Sequence, residues 1–230
     1  MIVALVNAGL MLTTAGAGLA ASAWMVRAGE PTNGRVPGST PSMERLQSHL
    51  PLALGNLTVL VLGSTAAMLS LQGAFTTAFP GWIQLVVQVA FVLLVEDVAF
   101  YAWHRLLHQN KSLYRRIHRI HHQAHSPVPM EYIYVHPVEW MVGALGPAAA
   151  LLAIGVWQGH MSAWVVWTYT LVRQLHELDI HSGIPSTWAN ALPLVGTADH
   201  HRMHHAKPTL GNYDSTLRIW DAVFGTRIPE

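Results

Sequence analysis

The chain of 230 residues contains no cysteine, which excludes disulfides, iron–sulfur clusters and thiolate zinc sites and leaves the compartment open. Charge is scarce as well. Lys, Arg, Asp and Glu make up 11% of the residues, against ~25% in ordinary soluble domains. Thirteen basic and twelve acidic side chains nearly cancel, and no basic run offers a footprint for nucleic acid. Internal repeats and low-complexity tracts are absent apart from an alanine bias in the apolar segments. The fragment Gly16-Ala17-Gly18-Leu19-Ala20-Ala21 loosely resembles a dinucleotide glycine pattern. It lacks the preceding strand and βαβ unit that the pattern requires. The length suits one domain.

What charge there is falls unevenly. Residues 1–26, 46–95 and 140–172 carry no Lys, Arg, Asp or Glu. A membrane-spanning helix needs ~20 apolar residues, so 46–95 has room for two spans, at 51–71 and 82–103, turning near Phe79-Pro80-Gly81. Glu96 and Asp97 fall in the last turns of the second. The third stretch predicts a shorter hairpin, 140–156 and 160–175, whose arms are tilted, partly re-entrant, or extended beyond Arg173. Residues 1–26 read as a retained helix rather than a signal peptide. The run Leu19-Ala20-Ala21-Ser22-Ala23 looks like a cleavage site, but no basic segment precedes the apolar one. Residues 27–48, rich in Pro, Gly, Ser and Thr, read as a polar linker.

If 1–26 spans, then 27–50, 104–139 and 173–230 share one side of the membrane, and the loops at 72–81 and 157–160 share the other. Arg105, Lys111, Arg115, Arg116 and Arg119 crowd the first side, which the positive-inside rule makes cytosolic. Trp82, Trp103, Trp140, Trp157 and Trp164 lie near predicted span ends, where indole favours the lipid interface.

All but His49 of the fifteen histidines lie beyond residue 100. His104 and His108 form HRLLH. His118, His121 and His122 form HRIHH. His201, His204 and His205 form HRMHH, preceded by His200. On an α-helix, positions i, i+3 and i+4 share a face, so each box is expected to aim its imidazoles at one point. Eight such ligands exceed the needs of one zinc and suit two metal ions. Imidazole accepts zinc, copper, iron and nickel alike. His49 and His160 stand alone and read as satisfied polar residues. Asp97, two turns before His104, has two readings: a carboxylate that orients His104, or, with Glu96, a buried and paired polar patch.

The three boxes, in this order between apolar segments, resemble those of the fatty acid hydroxylase/sterol desaturase superfamily. Pro129-Met130-Glu131, Tyr134, His136-Pro137-Val138-Glu139, Asp179-Ile180-His181-Ser182-Gly183, Gly211-Asn212-Tyr213 and Trp220-Asp221-Ala222-Val223-Phe224-Gly225-Thr226 are most similar to its C4-methylsterol oxidase branch. The resemblance covers roughly residues 82–228. It implies an all-α, polytopic membrane protein with four to five spanning or re-entrant helices under a cytosolic, histidine-rich di-metal cap. Residues 1–50 would form the N-terminal apolar helix and linker, and 51–230 the membrane-bound di-iron hydroxylase domain.

The resemblance further implies that His104, His108, His118, His121, His122, His201, His204 and His205 ligate two iron ions. His181 is the ninth choice. His176 is the tenth, although the branch generally has glutamate at that position. His136 stays open between ligand and supporting group, while His125 is expected to be solvated and His200 to point away. Trp220, Phe224 and Gly225-Thr226 are expected to pack over the cap, and Asn212 and Tyr213 to brace a turn. Arg202 and Lys207 offer a weak lure for an acidic donor.

The implied reaction is hydroxylation of a lipid C–H bond with O2, a sterol C4-methyl group being the expected substrate. Electrons would come from NAD(P)H through a separate b5-type cytochrome or ferredoxin with its reductase, since no nucleotide, flavin or haem module is evident. Fatty acyl, sphingoid and carotenoid hydroxylation or desaturation are the alternatives. The expected location is a bacterial inner membrane, or the endoplasmic reticulum in a eukaryote. An intramembrane zinc hydrolase would carry a glutamate base within HExxH, and no box has one. A metal transporter would line its spans with ligands, and a haem protein would need axial histidines within spans that hold almost none.

Overall fold

The computed structural model describes residues 1–28, 41–186 and 191–228; residues 29–40 of the expected linker lie outside the described residues. Four helical segments are long and apolar enough to cross a membrane: α1 (Ile2–Ala28), α2 (Met43–Ser70), α3 (Trp82–Gln109) and the pair α5 (Pro137–Gly143) with α6 (Leu145–Gln158). A single turn, α4 (Lys111–Leu113), follows α3, and α7 (Ala163–Ile180) is the last long helix. Two shorter helices, α8 (Ala198–Ala206) and α9 (Ile219–Val223), belong to the C-terminal segment.

The helix ends follow from their residues. Ser42 caps α2 by accepting from the Arg45 amide at 3.1 Å, so α2 begins eight residues before the expected Pro51, which lies inside it. Gly81, at φ 87°, turns the chain into α3, a backbone angle that suits glycine. Pro137 opens α5 at a position where its missing N–H costs nothing, and His136 caps it by accepting from the Val138 amide. The α5–α6 break at Ala144 has a local cause: Pro147 has no N–H to offer the Gly143 carbonyl one turn back. The second arm of the expected hairpin runs past Arg173 to Ile180, the third of the alternatives above.

Neighbouring helices follow the order α2, α1, α7, α3, α6. Leu85, Val89 and Val92 of α3 pack on Ala150 and Ile154 of α6 and Val165 of α7. Ala15, Ala53 and Leu57 pack on Met130 and Ile133. Leu5, Leu12, Val59, Leu62, Ile83, Val86 and Val156 are exposed; helices apolar on their outer faces too are suited to lipid. At one end of the bundle, strands β1 (Phe75–Thr76) and β2 (Met161–Ser162) pair in parallel, holding together the two connections expected to share a side. The histidine boxes all lie at the opposite end. There Ser22 of α1 accepts from the Met130 amide at 2.8 Å, so α1 is seated on the cap as well as on α2 and α7.

Glu96 and Asp97 are buried and paired. Arg173 of α7 donates to Glu96 Oε1 at 2.7 Å and forms an ion pair with Glu177 one turn on. Asp97 accepts from the amides of Thr216 and Leu217 at 2.9 and 3.2 Å and from Trp220 Nε1 at 2.8 Å. It therefore anchors the C-terminal segment and does not orient His104. Seven residues of helix separate the two by ~10 Å along the axis, too far for contact. Removing one member of a buried ion group costs ~3–5 kcal/mol because the other charges are stranded. Arg173→Leu is accordingly expected to lower the unfolding midpoint of the detergent-solubilised protein sharply. A midpoint equal to wild type would remove this group from the contacts that hold α3 to α7.

Candidate metal centre

The boxes meet, but not as three separate faces. Ring nitrogens of His104, His108, His118, His122 and His204 form one group, and those of His121, His181, His201 and His205 a second; within each group the atoms lie within 4.8 Å of one another. Both HxxHH boxes are therefore divided. His118 and His122 serve the first group while His121 serves the second, and His204 serves the first while His201 and His205 serve the second. HRMHH is helical within α8, capped by Thr197 accepting from the His200 amide. HRIHH is not on an α-helix: a π-helical turn, Tyr114–His118, passes into a 3₁₀ turn, His121–Gln123. The groups adjoin, with ring centroids of His122 and His205 4.9 Å apart and those of His118 and His121 5.7 Å apart.

For five of the nine rings the hydrogen bonds decide which nitrogen carries a proton. His104 Nδ1 faces the Tyr213 carbonyl at 2.6 Å, His204 Nδ1 the Gly211 carbonyl at 2.9 Å and His181 Nδ1 the Glu177 carbonyl at 2.9 Å. His118 Nδ1 faces Glu139 Oε1 at 2.8 Å, and His121 Nδ1 faces the Tyr134 carbonyl at 3.4 Å. A carbonyl or carboxylate only accepts, so these Nδ1 atoms donate and each Nε2 keeps a lone pair. The consequence is a convergence of acceptors. His104 Nε2 and His118 Nε2 stand 3.0 Å apart, and neither has a proton to share. His204 Nε2 is buried with no hydrogen-bond partner among the described residues.

A cation resolves that clash. Nitrogens bonded to one ion at ~2.1 Å sit ~3.0–3.4 Å apart. The observed contacts are His118–His122 at 3.0 Å and His108–His122 at 3.3 Å in the first group. In the second they are His181–His201 at 3.0 Å, His201–His205 at 3.1 Å and His121–His181 at 3.5 Å. The donor set fits two metal ions.

The electrostatics agree. Burial, reinforced by neighbouring imidazoles, pushes His121 down to about 3 and holds His118, His122, His201 and His205 well below the ordinary imidazole value. Burial pushes His204 down to about 4. These rings are neutral at pH 7, the state in which imidazole binds metal. His200 behaves differently. Against the desolvation of burial, Asp214 and Asp221 at 2.9 and 3.2 Å raise its pKa.

Other expected residues find separate places. His176 lies outside both groups, with Nε2 3.1 Å from the Gly196 carbonyl. Five residues rotate ~140° around a helix, which turns it away from His181. His136 is a helix cap, and His125 is exposed. His49, expected to be a satisfied polar residue, lies 2.6 Å from Glu131 and stacks on Tyr134 with centroids 3.7 Å apart. Glu139 had appeared only as part of a motif, yet it sets the tautomer of His118. The available signal was a lone carboxylate at the mouth of the charge-free run 140–172. The backbone acceptors at Gly211, Tyr213 and Tyr134 leave no residue-type signal at all.

The fatty acid hydroxylase family model matches residues 89–226. Methylsterol monooxygenase 1 of Gallus gallus is 36% identical over 149 residues, 64% of this chain and 48% of that protein. Methylsterol monooxygenase erg25A of Aspergillus fumigatus is 36% identical over 162 residues, 69% of this chain and 53% of that protein. Very-long-chain aldehyde decarbonylase GL1-8 of Oryza sativa subsp. japonica is 35% identical over 155 residues, 66% and 56% respectively. The chain thus spans about half the length of the curated relatives it matches. No solved structure matches it.

Groups that orient a ligating histidine from behind typically govern ~10–100-fold in metal affinity. Glu139→Ala is therefore expected to release metal from the first group at chelator concentrations that leave the wild type loaded, read as metal content after dialysis. Equal retention by the variant would show that the His118–Glu139 contact does not support binding.

Proposed function

Because this chain belongs to the fatty acid hydroxylase family, we propose that it is a membrane-bound, non-haem di-iron oxygenase that hydroxylates a lipid C–H bond, with a C4-methylsterol as substrate. The observation that carries this reading is the convergence of nine imidazoles, eight buried and His108 half-buried, in two adjoining groups at one end of an apolar helix bundle. When bound, the iron pair supplies O2 activation: one oxygen atom enters the C–H bond and the other leaves as water, with two electrons and two protons consumed.

The chain's own residues hold, orient and insulate. His104, His108, His118, His122 and His204 would hold one iron, and His121, His181, His201 and His205 the other. Glu139 and the carbonyls of Gly211, Tyr213, Tyr134 and Glu177 fix the rings that face them. The apolar helices give a lipid substrate its approach from the bilayer and keep bulk water from the centre. The choice of a methylsterol draws on the methylsterol monooxygenases among the relatives. The aldehyde decarbonylase relative keeps acyl, sphingoid and carotenoid substrates as the alternative. Arg105, Lys111, Arg115, Arg116 and Arg119 lie at the histidine end; by charge they suit an acidic donor, a b5-type cytochrome or ferredoxin passing electrons from NAD(P)H. By the positive-inside rule the same charges support a cytosolic cap, beneath a bacterial inner membrane or the endoplasmic reticulum membrane.

Two measurements test the proposal. The detergent-purified protein is expected to carry about two irons per chain, as paired histidine groups require. Membranes containing it, with donor and O2, are expected to convert a C4-methylsterol to its hydroxymethyl product. His121→Ala and His204→Ala should lose that turnover and part of the iron while keeping the fold. One zinc per chain, with no iron even after anaerobic loading, would overturn the oxygenase reading. Oxidation of acyl lipids with methylsterols untouched would overturn the substrate alone.

A further inference from the structure

Outside the two histidine groups lies a third buried cluster, His200, Asp214 and Asp221. By composition it looks like another metal site, but its carboxylate oxygens are already occupied. Asp221 Oδ1 accepts from the Tyr213 amide at 3.0 Å and from the Thr226 hydroxyl. Its Oδ2 accepts from the Asp214 amide at 3.1 Å and faces His200 Nε2 at 3.2 Å. Asp214 returns the arrangement, accepting from the Asp221 amide at 3.0 Å and facing His200 Nε2 at 2.9 Å. Four donors on one fully buried carboxylate (Asp221, 0% exposed) make a staple rather than a vacancy for a cation.

What the staple closes is the turn 211–213. That turn supplies the carbonyls of Gly211 and Tyr213, which receive the Nδ1 protons of His204 and His104. The turn cannot hold itself. Asn212 sits at φ 56° and Gly211 at φ 147°, conformations most residues avoid. Its other ties run from Asn212 Nδ2 to the His200 carbonyl at 3.0 Å, from the Ile228 amide to Asn212 Oδ1 at 2.8 Å, and from the Asn212 amide to the Thr226 carbonyl at 2.9 Å. The second histidine group takes none of its acceptors from this turn: His181 and His121 use Glu177 and Tyr134.

We propose that Asp221 is a positioning residue for the first histidine group alone: by clamping the turn 211–213 it fixes His104 and His204 with Nε2 facing the metal position. The inference rests on the reading of both groups as metal sites. It predicts a selective defect, because loosening the turn frees two rings of one group and none of the other.

The test is titration of the purified apoprotein with cobalt(II) alone, following the visible ligand-field bands and counting bound metal. His204→Ala and His201→Ala serve as markers for the first and second group. Asp221→Ala is expected to bind one cobalt as the wild type does and the other ~10–100-fold more weakly, with the bands of the His204→Ala variant. Asn212→Gly tolerates the left-handed backbone and removes only the side-chain ties, so it should weaken the same site even if Asp221→Ala fails to fold. Two-site binding by both variants at wild-type affinity, or equal weakening of both sites, would overturn the proposal and leave the metal reading standing. A wild-type chain that binds no cobalt would overturn the metal reading and this inference with it.

Discussion

A neutral imidazole offers a lone pair to a metal only when its other nitrogen carries the proton, and a buried N–H without an acceptor is costly. Nine histidines packed into two groups therefore impose a demand for acceptors on everything around them. For five of the rings, parts of the cap meet it. The turn at 211–213 serves His104 and His204, the 3₁₀ segment Pro129–Ile133 leads into the Tyr134 carbonyl facing His121, and the last turn of α7 serves His181. Side chains contribute at two rings: His118 faces Glu139, and His181 Nδ1 also lies 3.3 Å from Glu177 Oε2. A carbonyl can be presented by almost any residue, but only by a backbone held in place, and this explains why a loop-rich cap is so heavily tied.

Those ties run into the helix bundle. Glu131 at the start of the Tyr134 segment is buried and accepts from Arg45 of α2 and from the Val128 amide, and it faces His49. Burial alone would raise its pKa; His49 and Arg45 outweigh that and keep it low. Asp97 of α3 holds the segment that carries Trp220, and Arg173 of α7 reaches both Glu96 and Ser215. Arg45, Asp97 and Arg173 thus each connect a span to the cap. Charged groups deep in lipid are expensive, and these avoid that cost by being paired and by lying at the end where the polar cap begins. Among the described residues the far end, with its exposed tryptophans and short β1–β2 pairing, carries no comparable network.

The sequence made the bundle legible because lipid enforces a coarse rule, about twenty apolar residues per crossing. The turn at Phe79-Pro80-Gly81 and the apolar run of α3 could be read directly. Helix ends on the cap side could not, since polar residues such as Glu44, Arg45 and His49 of α2 look like linker until their partner Glu131 is known. The histidines were legible as candidate ligands by residue type and spacing, yet their division into two groups was not. Helical periodicity assigns i, i+3 and i+4 to one face, whereas the π-to-3₁₀ passage through residues 114–123 and the closeness of the two groups decide which ring goes where. His176 illustrates the same limit, because its histidine identity says nothing about the ~140° that separates it from His181. The acceptors on Gly211, Tyr213 and Tyr134 are backbone atoms and leave no trace in composition.

The divided boxes have a consequence for how the centre is built. If each HxxHH box fed a single group, the spacing between groups would depend on tertiary packing between separate elements, which shifts with every nearby contact. Here α8 alone contributes His204 to one group and His201 and His205 to the other, so its 1.5 Å rise per residue sets their relative position. The 114–123 segment likewise contributes to both groups, with His118 and His122 in one and His121 in the other. Two rigid rulers then span the same gap. The remaining histidines, His104 and His108 from α3 and His181 from the end of α7, each join one group only. A displacement of α3 therefore perturbs one group, while a displacement of α8 carries rings of both together and changes the distance between the groups little. The separation of the two groups is thus determined where α8, capped by Thr197, meets the turn 211–213 through Asn212 and His200.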